Sequence, residues 1–226
     1  MNDDIKIQKE LIIEIGKRLW QREYVAANDG NISVRLNDSE VLATPTGVSK
    51  GFMTETMILR VDMEGRMLDE NTYKPSSEVM MHIEVYRQRE DIQAVVHAHP
   101  PFATAFAVAG IPLDKCVLPE SVLTLGEVAI APYGTPSTME IPESIQPIIQ
   151  QSDAVLLENH GALTLGRDLI TAYHRMETLE HSASITYKAM QLGRVNEIPS
   201  EGIKKLMDIR KKFNLPGRIN LPGFVD

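Results

Sequence analysis

Short apolar runs, each closed by a turn signal, restrict what this chain can fold into more than any other feature. Ile32, Val34 and Leu36 alternate with polar neighbours after the turn Asn28-Asp29-Gly30, which predicts a half-buried strand. Residues 41–44 and 57–62 predict two more, the first ended by the turn Thr44-Pro45-Thr46-Gly47. Ala94-Val95-Val96-His97-Ala98 reads as a buried strand stopped by Pro100-Pro101, and residues 128–131, 154–158 and 162–165 add further strands. Helices are expected between them. One covers residues 4–22, where Leu11, Ile12, Ile15 and Leu19 share a face and Asn2 or Asp3 can cap. A second runs from a serine cap after Pro75 to about residue 89. Others are expected at 102–109, 142–151, 168–192 and 201–213. The tail, 215–226, is apolar and punctuated by Pro and Gly, and is expected to pack on another surface. Strands that come in runs as well as alternating with helices predict a layered α/β fold with antiparallel pairing, rather than a purely parallel doubly wound sheet. No repeat or linker divides the chain, so one domain spanning 1–226 is expected.

Composition narrows the function classes. The chain carries 23 Lys+Arg against 31 Asp+Glu, a net charge of −8, which offers no broad basic footprint for nucleic acid. The N-terminus is acidic and polar without the apolar core of a signal peptide, and no run approaches the ~20 apolar residues of a membrane span. A cytoplasmic protein with no membrane partner is expected. The single cysteine, Cys116, removes both an intrachain disulfide framework and a Cys-rich zinc site, so a metal would have to be held by His, Asp or Glu. Neither a dinucleotide nor a P-loop glycine motif is present.

His97 and His99 are two apart at a predicted strand, where period-2 alternation puts both imidazoles on one face. His160 follows another apolar strand. Three neutral imidazoles on one divalent ion leave a position open for substrate, as catalytic zinc sites do. The same His-x-His pattern also suits histidines that simply bond backbone at a strand end. His82, His174 and His181 fall on predicted helices without such spacing and read as surface or structural. Glu78 opens a helix, where a carboxylate favours the macrodipole and, beside a metal, can act as a general base. Asn31, Thr46, Gly47, Ser76 and Ser77 occupy turn or cap positions. Their N–H groups and hydroxyls can bind a phosphate, and ordinary turns use the same residue types.

In combination and in this order, Gly30-Asn31-Ile32-Ser33-Val34-Arg35, Thr44-Pro45-Thr46-Gly47, Pro75-Ser76-Ser77-Glu78, His97-Ala98-His99 and Asn159-His160-Gly161 resemble the class II aldolase/adducin head family. The likeness is greatest to its L-fuculose-1-phosphate aldolase-like zinc enzymes, and it runs from the first helix to about residue 192. The resemblance implies a three-layer α/β/α sandwich on a mainly antiparallel central sheet. It implies one zinc ion per subunit on His97, His99 and His160, with Glu78 able to join the resting metal and to serve as acid/base. It further implies a phosphate held by Asn31, Thr46, Gly47, Ser76 and Ser77, and a homotetramer with active sites at subunit interfaces. The implied reaction is reversible cleavage of a ketose 1-phosphate, fuculose-like or a deoxy-pentulose phosphate, to dihydroxyacetone phosphate and an aldehyde through a metal-stabilised enediolate. The chain also departs from that pattern. Fuculose-phosphate enzymes carry a tyrosine soon after the metal histidines, and residues 113–120 contain none. Tyr133 sits in what reads as a structural turn, and Phe213 stands near the place of a second, C-terminal tyrosine. The related alternatives are a pentulose-5-phosphate 4-epimerase, whose relatives usually carry Asp where Glu78 stands, a sugar-acid-phosphate decarboxylase and a 5-methylthioribulose-1-phosphate dehydratase. The non-enzyme alternative is an adducin-like interaction domain, which lacks the ligand set.

Overall fold

Successive strand residues face opposite sides of a sheet, and in this chain both sides are apolar, so both must be covered. The structure is a computed structural model that describes residues 2–224, without the side chain of Asn2. The elements are α1 (Asn2–Gln21), β1 (Asn31–Arg35), β2 (Glu40–Ala43), β3 (Leu59–Asp62), α2 (Val79–Gln88), β4 (Ala94–Ala98), α3 (Pro101–Ala109) and α4 (Pro119–Thr124). They continue with β5 (Ile130–Ala131), α5 (Glu140–Ile149), β6 (Ala154–Leu157), β7 (Gly161–Gly166), α6 (Leu169–Gln191) and α7 (Ser200–Lys212). The seven strands form one sheet in the order β3-β2-β1-β4-β7-β6-β5. Every neighbouring pair is antiparallel except β5 with β6.

Alternation sorts the strand side chains into two cores. Ile32, Val34, Leu42, Val96 and Leu156 pack with Ile12 and Ile15 of α1, Phe106 of α3 and Met176 and Leu179 of α6. Val41, Val61, Val95, Val155 and Leu163 face the other way, onto Met81 and Val85 of α2 and Ile141 and Ile145 of α5. Each such side chain contributes roughly 1.5–3 kcal/mol on burial. The result is a three-layer α/β/α sandwich on a mostly antiparallel sheet. A third cluster gathers Cys116, Val122 of α4, Ile203 and Met207 of α7, and Ile219 and Leu221 of the tail. The tail therefore packs as expected through residue 224, while Val225 and Asp226 lie outside the described residues. Among the described residues no helix is long and apolar enough to cross a membrane.

Several boundaries differ from the sequence expectation. The N-cap of α2 is Glu78 rather than a serine, and its side chain makes no cap bond. Ser76 Oγ instead accepts the Glu78 N–H at 3.3 Å. α1 begins at Asn2, so Asp3 lies in its first turn and does not cap it. A cap by the Asn2 side chain falls outside the described residues. β3 starts at Leu59 because Glu55–Met57 winds into a 3-10 turn. β5 is only Ile130–Ala131, since Val128 bonds Leu113 instead. α5 starts at Glu140 and carries Pro142 in its first turn, where a missing N–H leaves no helical bond unmade. α4 has no counterpart in the sequence expectation; Pro119 starts it at a helical first-turn position.

One buried carboxylate ties the layers to the tail. Asp153, just before β6, is 1 % exposed and lies 2.7 Å from Arg89 after α2 and 2.9 Å from Arg175 of α6. It also accepts the Arg218 N–H at 3.0 Å. Removing the shared anion takes from the buried Arg175 guanidinium its carboxylate partner and leaves Arg89 with Asp91 alone, 2.7 Å away. Asp153→Ala is therefore expected to cost about 3–5 kcal/mol in urea unfolding. A loss under about 1 kcal/mol, the size of an exposed pair, would show that the hub carries no such weight.

Candidate metal and anion site

The site is positioned by β4, which lies between β1 and β7. Register sets Asn31 opposite His97 on one side and Leu163 opposite His97 on the other. His97 shares the parity of Val95, so its ring points to the α2 side and is 0 % exposed. Its Nδ1 lies 2.9 Å from the Ala162 carbonyl. A carbonyl can only accept, so Nδ1 carries the proton and Nε2 presents a lone pair. His99 lies just past the end of β4, with its N–H on the Tyr24 carbonyl at 2.8 Å. Its Nε2 is 3.1 Å from His97 Nε2, and its Nδ1 is 3.5 Å from Asp29 Oδ2. His160 sits in the tight connection from β6 to β7, made by Asn159 at φ 55°. Gly161 follows because a Cβ there would stand 2.6 Å from the Ala98 carbonyl and 2.6 Å from His99 Cδ2.

The three rings converge, with centroids 4.7–5.0 Å apart. One nitrogen from each lies within 4.8 Å of the others, an arrangement that can hold a metal ion. Glu78 joins them: Oε1 is 3.2 Å from His160 Nε2, and Oε2 is 3.6 Å from His97 Nε2. Asn31 Nδ2 fixes the carboxylate by donating to Oε2 at 2.9 Å. Burial, reinforced by the neighbouring imidazoles, holds His97 well below the ordinary histidine range, and burial and His160 lower His99 as well. Both are thus neutral near pH 7, the state in which imidazole ligates. Among the described residues, the buried Glu78 Oε1 and His160 Nδ1 have no hydrogen-bond partner. Three imidazoles and a carboxylate with such an orphaned oxygen are a donor set that suits a zinc-like cation.

The anion-binding candidates come from two loops joined to each other. Thr46 N–H donates to Lys74 O at 2.9 Å, and Ser76 N–H donates to Thr44 O at 3.2 Å. A cavity of about 180 Å³ opens beside the histidines, with Asn31, Thr46, Ser76, Ser77, Glu78, His99 and His160 on its wall. His97 lies behind the wall. Gly47, at φ +70°, is exposed next to Thr46 but does not line the cavity. Sequence reasoning missed Asn28, Asp29 and Pro136, which also line it. The turn signal at Asn28-Asp29 marked the place but not the carboxylate's direction. Tyr133 is 55 % exposed and off the wall, its N–H spent on Glu158 Oε2 at 2.8 Å. His82 is buried at 2.7 Å from Ser33 Oγ, which also lies 2.7 Å from Tyr86 Oη, and burial pushes its pKa down to about 3. It braces α2 against β1. His174 and His181 are exposed on α6.

Residues 10–187 match the family described as Class II Aldolase and Adducin N-terminal domain. An L-fuculose phosphate aldolase of Methanococcus maripaludis is 36 % identical over 175 residues, 77 % of this chain and 93 % of that protein. A 3-oxo-tetronate 4-phosphate decarboxylase of Haemophilus influenzae is 32 % identical over 203 residues, 88 % of this chain and 95 % of its own length. Among solved structures, an L-fuculose 1-phosphate aldolase superposes with a TM-score of 0.83 at 30 % identity, covering 92 % of this chain and 96 % of that one. The chain therefore belongs to the class II aldolase and adducin N-terminal domain family and is an enzyme of the class II aldolase superfamily.

Proposed function

We propose that this chain is a zinc-dependent aldolase that reversibly cleaves a ketose 1-phosphate to dihydroxyacetone phosphate and an aldehyde. The observation that carries this reading is the convergence of His97, His99 and His160 with Glu78 beside a cavity that Asn31, Thr46, Ser76 and Ser77 also line. The three imidazoles would hold the zinc, which when bound supplies Lewis-acid polarisation of the ketose carbonyl and its neighbouring hydroxyl. Thr46, Ser76 and Ser77 offer hydroxyls to the phosphate, and Gly47, off the cavity wall next to Thr46, would add its main-chain N–H only if the loop closes on the anion. Asn31 spends one amide N–H on Glu78 and keeps the other for the anion. Glu78 handles the proton on the carbon of the ketone fragment. As the bond to the aldehyde carbon breaks, the hydroxyl on the aldehyde carbon gives its proton to solvent and becomes the carbonyl. The bond's electron pair stays on the ketone-fragment carbon, and the Glu78 carboxyl gives a proton to that carbon and is reprotonated from solvent. The same reading makes the protein a cytoplasmic homotetramer of single-domain chains spanning 1–226, with active sites at subunit interfaces.

A second reading, a sugar-acid-phosphate decarboxylase, is favoured by the absence of tyrosine from residues 113–120 and by Tyr133 being exposed and off the cavity wall. Loss of carbon dioxide creates no aldehyde oxygen, so it needs no group there. It would use the same metal, cradle and enediolate, and the Haemophilus influenzae relative carries that name.

Incubating the protein with ketose 1-phosphates and with a 3-oxo sugar-acid 4-phosphate, with and without chelator, separates the two readings. Dihydroxyacetone phosphate together with an aldehyde, formed from a ketose 1-phosphate, is the outcome expected. Carbon dioxide with dihydroxyacetone phosphate from the 3-oxo acid, and no aldehyde from any ketose 1-phosphate, would install the decarboxylase instead. Glu78→Gln is expected to retain zinc while turnover falls about 10²–10⁴-fold; full activity would remove Glu78 from acid/base work. Gly161→Ala should push His99 aside and lower zinc content, read by metal analysis of the purified variant. Wild-type stoichiometry there would show that the loop accommodates a methyl group.

A further inference from the structure

The three imidazoles are not equally constrained at the nitrogen away from the cluster. His97 has the Ala162 carbonyl at Nδ1, whereas His160 Nδ1 has no hydrogen-bond partner among the described residues. His99 has a carboxylate: Asp29 Oδ2, 3.5 Å from its Nδ1, while its Nε2 faces His97 Nε2 at 3.1 Å. His99 is also the less enclosed of the pair on and after β4, with a side chain 25 % exposed against 0 % for His97. A loosely enclosed imidazole can turn over and present either nitrogen, unless something selects one.

The loop that carries Asp29 is clamped on both sides. On one side, the Lys50 ammonium donates to Asn28 O at 2.9 Å and to Val48 O at 2.8 Å. Lys50 is only 1 % exposed, and among the described residues no carboxylate lies within ion-pair distance of it. Burial lowers its pKa to about 8 against the opposing pull of the Asp29 and Glu78 charges. A buried cation is costly, and this one is spent on two main-chain carbonyls, one preceding Asp29 and one following Gly47. On the other side, Gly30 turns at φ +70°, and a Cβ there would stand 2.6 Å from Val25 Cγ1 and 2.9 Å from the His97 carbonyl. Asp29 N–H is itself held on Ala26 O at 2.8 Å.

We infer that Asp29 is a positioning residue that holds His99 with Nε2 toward the metal, and that Lys50 fixes the loop presenting it. This inference rests on the zinc reading above. A carboxylate on the far nitrogen selects the tautomer, orients the ring and raises the basicity of the ligating nitrogen. The Asp29 side chain is 44 % exposed, so replacing it removes this contact without opening a core.

The test uses the full chain stripped of metal and measures Zn²⁺ affinity by chelator competition and the visible spectrum of the Co²⁺ form. Melting temperature serves as the control for folding. Asp29→Ala is expected to weaken Zn²⁺ binding about 10–100-fold and to alter the Co²⁺ bands with little change in melting temperature. Asp29→Asn should fall between it and the wild type, and Lys50→Met should weaken binding in the same direction. Affinity within twofold of wild type in both Asp29 variants would overturn the inference, even if Lys50→Met failed to fold. A wild-type chain that takes up no Zn²⁺ would overturn the metal reading itself and this inference with it.

Discussion

The antiparallel seating of β4 between β1 and β7 is the constraint on which the rest of the site depends. A strand held on both edges cannot slide without turning its side chains to the other face. That seating puts Asn31 across from His97 and points the His97 ring at the α2 layer. It also delivers the Ala162 carbonyl to His97 Nδ1. Glu78 is then reached from Asn31, and His160 from the connection that feeds β7. None of these residues needs a long, adaptable loop. Each lies on a strand or within a few residues of an element's end, which gives the precision a metal-sized cluster requires.

Electrostatics works locally against the global balance. A chain with net charge −8 has no surface field to draw an anion, yet its candidate anion site is built of turn amides, hydroxyls and, one layer behind, the Lys50 ammonium. Burial keeps His97 and His99 uncharged, so the cluster does not repel a cation before it arrives. The larger buried ionic hub at Asp153 has a mechanical role instead, joining α2, α6 and the tail with paired charges.

Much of this was legible in the sequence because it is local. The alternation of Ile32, Val34 and Leu36 and the run at Ala94–Ala98 report strand faces directly, and the Pro100-Pro101 stop falls where β4 gives way to α3. The crowding of His97 with His99 follows from their spacing. What was not legible depends on contacts between distant segments. Lys50, between Ser49 and Gly51, carries no local mark of burial; it is 1 % exposed, and α1 packs so closely that a Cβ at Gly16 would meet Lys50 O at 2.7 Å. Asp29 reads as a turn former, and only the fold aims it at His99. α4 escapes sequence reading because its six residues are too few to show a helical period, and its stability comes from Ile203, Met207 and the tail.

The residues of the cluster are scattered along the chain: His97 and the Ala162 carbonyl that fixes its tautomer are 65 residues apart, and Asn31 and Glu78 are 47 apart. Contacts of such separation form only after long segments have been brought together, which slows folding. The unfolded chain accordingly has nothing resembling the binding geometry, and partly assembled sheets have only fragments of it. A cation that binds the complete cluster would stabilise the finished sheet alone, so cellular metal supply would act on the lifetime of the whole protein as well as on its chemistry.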